Sequence, residues 1–237
     1  MGKGAALRWV ENKLIARHVR GRGIEIGALW KKFPVPANAT AWYIDRIDPD
    51  ALHQEYSEVG EKIIAPDVVA DAQALPFADG SLDFVIASHV LEHMPLTLAA
   101  LREWYRVLAP RGVLVLKIPD KRHTFDIRRP RTPLQHLLAE DANLAAFDRR
   151  AHFTEWVEYV VGLESGSPAC AAEVDRLMQM DYSIHYHAWI DEDVRELLQH
   201  TRAAMQLQWD LVLFFPARFY RKECAVVMRR DAKPLLR

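Results

Sequence analysis

An apolar run from Leu82 to Ser88 ends in a polar cluster, Ser88-His89-Val90-Leu91-Glu92-His93, that gathers side chains able to move a proton. Imidazole titrates near neutral pH, so His89 is the leading candidate for a general base and His93 follows one helical turn later. Asp120 and His123 stand just beyond a second apolar run, Val113–Ile118, and complete the expected catalytic set. Competing readings are bland: His93 as a helix-packing residue, His123 as a surface histidine, Glu92 as a cap for a helix beginning near Pro95. His89, Glu92 and His93, with His185 and His187, also have metal-ligand side chains, although the expectation is a site without metal.

Three more positions mark the ends of short apolar segments. Gly27, in Glu25-Ile-Gly27-Ala28-Leu29, has no side chain to keep a ligand from the backbone. Asp45 ends Thr40-Ala-Trp-Tyr-Ile-Asp45, about 20 residues on, where a carboxylate can accept from a ribose diol. Asp71 and Ala72 follow a third segment, Asp67–Ala70, and the acid suits an exocyclic amine such as adenine's. Each residue alone also reads as a turn or a cap. Together they surround one crevice.

Those segments read as strands because they are rich in β-branched, aromatic and aliphatic residues and are bounded by turn signals. An amphipathic helix over Ala5–Arg20, with Leu7, Val10, Leu14 and Ile15 at helical spacing, leads into Gly23–Leu29. Asp48-Pro49 caps a helix running toward Tyr56. A helix from Pro95 through Leu108 stops at Pro110-Arg111-Gly112, and Val113–Ile118 is the fifth strand. Strands alternating with helices imply a parallel, doubly wound α/β sheet, with ligands outside the carboxyl ends of its strands. Past Pro119 the alternation fails. Residues 120–187 form an expected helical insertion on the substrate side, with helices near Leu134–Glu140, Asn143–Val161 and Ala169–Met180. A helix over Asp191–His200 and two strands, Met205–Phe215 and Lys222–Arg230, then finish the sheet as an antiparallel pair joined across Pro216–Arg221.

With 237 residues, the chain suits a single domain over 1–237. The balance of 31 basic against 32 acidic residues supplies no overall field for nucleic acid or an anionic membrane. Cys170 and Cys224 are too few for a disulfide framework. A charged N-terminus and the absence of a long apolar run point to a cytoplasmic protein without a membrane span.

The order of motifs resembles the class I S-adenosylmethionine-dependent methyltransferases of the type 11 kind. The likeness runs through Glu25-Ile-Gly27-Ala-Leu29, Tyr43-Ile-Asp45, Asp71-Ala-Gln-Ala-Leu-Pro-Phe77, Asp79-Gly-Ser-Leu-Asp83-Phe-Val-Ile86, Val90-Leu-Glu92-His93 and Arg106–Val113. It implies a Rossmann-like sheet of seven strands and S-adenosyl-L-methionine as cofactor. The implied cofactor contacts are Glu25, Gly27, Ala28, Leu29, Asp45, Arg46, Asp71, Ala72, Gln73, Ser88 and His89. Gly27 and its loop would hold the methionine moiety, Asp45 the ribose, Asp71 and Ala72 the adenine, and Ser88–His89 would flank the reactive methyl. The family's first loop carries more glycines; here Leu29 and Lys31 follow Gly27. The EIGAL and IPDKRHTFD sequences resemble a subgroup found among polysaccharide-building enzymes.

The expected activity is therefore O-methylation of a small hydroxylated acceptor, such as a sugar or glycan. Lys121, Arg122, Arg128, Arg129 and Arg131 suggest an anionic acceptor, because guanidinium forks match phosphate geometry. A non-catalytic nucleoside binder or scaffold is the main alternative, and a metal-dependent hydrolase a lesser one. The sequence sets no oligomeric state.

Overall fold

The computed structural model describes residues 3–143, 147–218 and 222–232. Helix α1 (Lys3–Ala16) leads into β1 (Gly21–Ile26), then β2 (Ala39–Asp45), α2 (Pro49–Glu55), β3 (Val68–Val69) and β4 (Leu82–Ser88). Helix α3 (Thr97–Val107) passes directly into β5 (Leu108–Pro119). Three helices follow, α4 (Leu134–Ala142), α5 (Arg149–Trp156, extended by a wide turn through Val161) and α6 (Pro168–Gln179), before α7 (Asp191–Ala203), β6 (Trp209–Phe215) and β7 (Glu223–Arg230).

The seven strands lie in the order β3-β2-β1-β4-β5-β7-β6. All neighbours are parallel out to β5, and β7 is antiparallel to both β5 and β6. This is the expected mostly parallel Rossmann-like sheet with a terminal antiparallel pair. Chain order reverses between β1 and β4, which are hydrogen-bonded neighbours. The connections leaving them diverge, and the crevice between those connections is the ligand position of such sheets.

Alternation along the central strands divides two cores. Val85, Ala87, Leu114 and Leu116 face Leu98, Leu101, Trp104 and Leu197, whereas Phe84, Ile86, Val113 and Val115 face Ile15, Val19 and Phe33. A third core, Phe153, Val157, Cys170, Val174, Leu177, Ile184 and Tyr186, belongs to the helices after β5. Cys170 and Cys224 are buried free thiols.

Several boundaries differ from expectation for physical reasons. Leu7 and Val10 of α1 are 48% and 46% exposed, because the helix turns Glu11, Asn12 and Ile15 inward, with Asn12 Oδ1 accepting from Lys117 Nζ of β5 at 2.8 Å. A tight turn at Leu91–His93 delays α3 to Thr97. Arg111 takes a left-handed backbone (φ 68°), so the expected stop at Pro110–Gly112 is absorbed into β5. Positions 144–146 of one expected helix and 219–221 of the β6–β7 connection lie outside the described residues. No helix among the described residues is long and apolar enough to cross a membrane.

Candidate active site

The floor of the crevice is the carboxyl edge of β3, β2, β1, β4 and β5. At β1 the Gly27 amide donates to the Ile44 carbonyl at 2.9 Å, and Gly27 adopts a left-handed backbone (φ 64°). A Cβ there would stand 2.8 Å from Cγ2 of Val90, so β1 and the residues after β4 approach too closely for a side chain. Leu29 is also left-handed (φ 46°), a conformation that L-residues with side chains seldom adopt. The backbone at 29 therefore has the form that glycine supplies elsewhere, although the residue is leucine.

Glu25 does not point into the crevice. It is buried, and both carboxylate oxygens accept from the Phe33 amide, at 2.9 and 3.0 Å. Burial raises its pKa from 4.5 to about 7, against the opposing effects of that bond and of Lys32 and Lys117. Its structural effect is to fix the loop that carries Ala28 and Leu29 onto the sheet.

Asp45 ends β2 half-buried, its Oδ1 accepting from the Arg46 amide at 2.7 Å. Burial raises its carboxyl above the usual range. Arg46 turns away to pair with Glu55 and with Asp181, at 3.1 Å, in the segment after α6. Exposed Asp71 forms a turn through the Gln73 amide, at 2.8 Å. The Ala72 carbonyl accepts from Trp104 Nε1 at 2.9 Å, and Gln73 Oε1 accepts from the Leu96 amide at 3.1 Å. These bonds fix the turn after β3 against α3.

At the end of β4, beyond Ser88, the chain turns through His89, whose backbone is left-handed (φ 56°) and whose amide donates to the Lys117 carbonyl at 2.9 Å. The imidazole lies between two acids: Nε2 is 2.7 Å from Glu223 Oε2 and Nδ1 is 3.5 Å from Glu92 Oε1. Burial lowers the His89 pKa, but the bond to Glu223 and the charges of Glu92 and Glu223 outweigh burial and leave it raised. Glu223, at the start of β7, also pairs with Lys117 at 3.4 Å, and these partners hold its carboxyl at about 2 despite burial. Sequence reasoning missed Glu223, which reaches His89 only through the pairing of β7 with β5, Glu223 opposite Pro119.

Glu92 is buried without a hydrogen bond to its carboxylate among the described residues; the imidazoles of His89, at 3.5 Å, and His185, at 3.9 Å, lie beside it. His93 Nδ1 is 2.9 Å from the Ile184 carbonyl, and burial lowers its pKa to about 3, so the ring stays neutral. The Glu92 carbonyl accepts from the Tyr186 amide at 2.8 Å. Residues 181–187 thus run from the end of β2 to the end of β4, across the position of β1.

Asp120 and His123 are occupied differently. Asp120 is buried and accepts from the Arg122 amide and Nε, each at 2.9 Å; burial raises its pKa, but these bonds leave it lowered. His123 lines a separate surface concavity with Arg122, Arg195 and Arg218. The expected cationic patch is largely consumed by the chain itself. Arg129 has no exposed side-chain surface and binds Asp126, Glu155 and the carbonyls of His185 and Tyr186. Arg131 pairs with Asp193, Arg122 with Asp120, and Lys121 Nζ donates to the Ile127 carbonyl. Arg129 and Arg131 are met by partners distant in sequence, Glu155 and Asp193, and Arg122 and Lys121 by near neighbours, whereas Arg128 stays exposed.

Every element of this edge up to β5 falls in one sequence match. Residues 21–116 match the Methyltransf_11 family, described as a methyltransferase domain. The matched segment ends inside β5, before α4–α6. Over 112 residues the chain is 30% identical to the uncharacterized protein MJ1123 of Methanocaldococcus jannaschii, covering 47% of this chain and 51% of that one. Over 58 residues it is 41% identical to the ubiquinone/menaquinone biosynthesis C-methyltransferase UbiE of Neisseria gonorrhoeae, covering 24% of each. The chain thus spans about half the length of the first relative and about a quarter of the second. A solved structure described as a Zn-dependent alcohol dehydrogenase, from Rhodobacter sphaeroides, superposes with a TM-score of 0.55 at 16% identity, over 94% of this chain and 90% of that one. That likeness is one of fold.

Proposed function

We propose that the protein is an S-adenosylmethionine-dependent methyltransferase that methylates a hydroxyl group of a small acceptor, a sugar or glycan, in the cytoplasm. The observation that carries the reading is the placement of Gly27, Asp45 and Asp71 at successive strand ends beside the β1–β4 switch point, inside the matched segment. The left-handed backbone at Gly27 and Leu29 and the carboxylates after β2 and β3 fit a methionine tail, a ribose and an adenine in that order. The cofactor supplies a methyl group activated on a sulfonium.

Methyl transfer asks the protein for in-line positioning and, with a hydroxyl acceptor, for removal of one proton. His89 is the group assigned to take that proton, its ring oriented by Glu223 at Nε2 and by Glu92, 3.5 Å from Nδ1. Glu223 then steadies the imidazolium that forms, and its attachment to Lys117 keeps it ionised. Asp120 and His93 position the walls of the site through Arg122 and Ile184, without touching the acceptor. Residues 120–187 form the acceptor side of the domain in this reading.

A second reading, methylation of an acidic carbon, is favoured by the stretch shared with UbiE and uses the same proton acceptor. Calorimetric titration with S-adenosylmethionine and S-adenosylhomocysteine tests the shared core: micromolar-range binding of either is expected, and no heat at ~1 mM, above about −4 kcal/mol, overturns it. An acceptor screen that detects S-adenosylhomocysteine, followed by mapping of the methylated atom, separates oxygen from carbon.

A further inference from the structure

Four side chains from α4, α5 and the segment before α7 converge away from the His89–Glu223 pair. His136 and Glu140 lie one helical turn apart on α4, His152 on α5, and His187 between α6 and α7. His152 Nε2 is 2.7 Å and His136 Nε2 is 2.9 Å from the same oxygen, Glu140 Oε1. The three imidazoles can offer nitrogens within 4.8 Å of one another. His187 is buried, and neither ring nitrogen has a strict hydrogen bond among the described residues, although the Pro95 backbone lies beside the ring. Glu140 Oε2 is buried and equally without a partner.

Proton placement makes this arrangement informative. His152 Nδ1 is 3.1 Å from the Tyr186 carbonyl, which can only accept, so Nδ1 carries hydrogen. Its Nε2 then aims either a second proton or a lone pair at Glu140. A lone pair against a carboxylate at that distance is repulsive unless a cation lies between them. Protonating His136 and His152 would satisfy Glu140 Oε1, yet it would leave His187 and Glu140 Oε2 orphaned in the interior, at about 1–3 kcal/mol each. One divalent ion would take a lone pair from each of the three imidazoles and one from Glu140.

We infer that His136, His152, His187 and Glu140 form a binding site for a divalent transition-metal ion of zinc's class. Three imidazole nitrogens and one carboxylate oxygen are a tetrahedral donor set for such an ion. Bonds of about 2.0–2.1 Å place neighbouring ligand atoms about 3.3 Å apart, so the two short contacts to Glu140 open by about half an ångström on loading. The bond from His152 to the Tyr186 carbonyl is the outer-sphere contact that fixes which nitrogen faces a metal. His136 is partly exposed and gives the ion a way in.

The three imidazoles would hold the ion with Glu140 Oε1 against two of them, away from the His89–Glu223 pair, and its role is structural. The ion ties α4 and α5 to the segment that bonds the Glu92 carbonyl through Tyr186, and so fixes the wall of the crevice. A second cluster, Glu92, His93 and His185, has outer contacts of the same kind, His93 Nδ1 with the Ile184 carbonyl and His185 Nδ1 with Asp126 at 2.7 Å, so the variants tested must separate the two.

The test uses the full chain, stripped with chelator and dialysed, then titrated with Zn²⁺ by calorimetry and with Co²⁺ by visible absorption. One equivalent of each ion is expected, with the intense visible bands of four-coordinate cobalt and a higher Tm on saturation with zinc. His187→Ala should abolish the cobalt spectrum. Because that variant empties an interior site, His136→Ala, at the exposed ligand, is the second arm and should weaken zinc binding about tenfold or more. The inference is overturned by an absence of zinc binding at ~1 mM, by full-strength binding in His136→Ala, or by binding lost in His93→Ala and retained in His136→Ala.

Discussion

Glu25 offers the clearest test of how the first loop is held. In the unfolded chain its carboxyl titrates near 4.5, whereas in the folded protein it titrates at about 7 because burial disfavours the charge. Between those values the folded state holds a proton that the unfolded state has released, so stability falls as pH rises through this window. The separation is about 2.5 decades, and each decade is worth about 1.4 kcal/mol, so the loss approaches 3 kcal/mol by pH 7 and is constant above it. Glu25→Gln carries no charge at any pH and keeps one oxygen for the Phe33 amide. The measurement is urea denaturation of both proteins from pH 4.5 to 8, taking the difference in unfolding free energy so that all other titrations cancel. The glutamine variant should gain about 3 kcal/mol relative to wild type across that range. A difference constant to about 0.5 kcal/mol would mean that the carboxyl titrates normally, and the account of the buried loop clamp would fail.

Gly27→Ala should cost about 2–4 kcal/mol by denaturant titration, from the left-handed backbone and from displacement of Val90; a cost near zero would show that the strands have room to separate. Asp45→Ala should weaken S-adenosylmethionine binding by about 1.5–3 kcal/mol in calorimetry, and unchanged affinity would remove the residue from the ribose site. His89→Ala should lower turnover by ~10²–10⁴-fold with a small effect on cofactor affinity, and loss of cofactor binding alone would reassign the residue. Glu223→Gln should lower the pKa of His89 and move the rising limb of the pH–rate profile to lower pH; an unmoved limb would exclude the pair as the proton acceptor. Because the Glu223 carboxyl is depressed from 4.5 to about 2, its contribution to stability is complete above 4.5 and is lost as pH falls through about 2.

Local signals carried most of the fold. Strand β4 occupies Leu82–Ser88 as its apolar run predicts, and Asp48 caps α2 by accepting from the Ala51 amide at 2.9 Å. The antiparallel finish was legible because β6 is aromatic and aliphatic, β7 carries the run Ala225–Met228, and turn residues stand between them in the sequence. Long-range pairing was not legible. Arg129 looks like a surface cation beside Arg128, yet Glu155 and the backbone of His185–Tyr186 close around it in the interior. Glu223 gives no sign in sequence that it meets His89. His185 and His187 were visible as metal-ligand side chains, but the convergence of His187 with His136, Glu140 and His152 requires the packing of three elements.

The mount of residues 181–187 has a consequence for how such a domain can diversify. Two of its fastenings use its own main chain, the Ile184 carbonyl to His93 and the Tyr186 amide to the Glu92 carbonyl. A third is a backbone acceptor too, since the Tyr186 carbonyl serves Arg129 and His152. Bonds of this kind survive replacement of the side chains at the positions that make them. Side chains along this segment can therefore be exchanged while its course over the sheet stays the same.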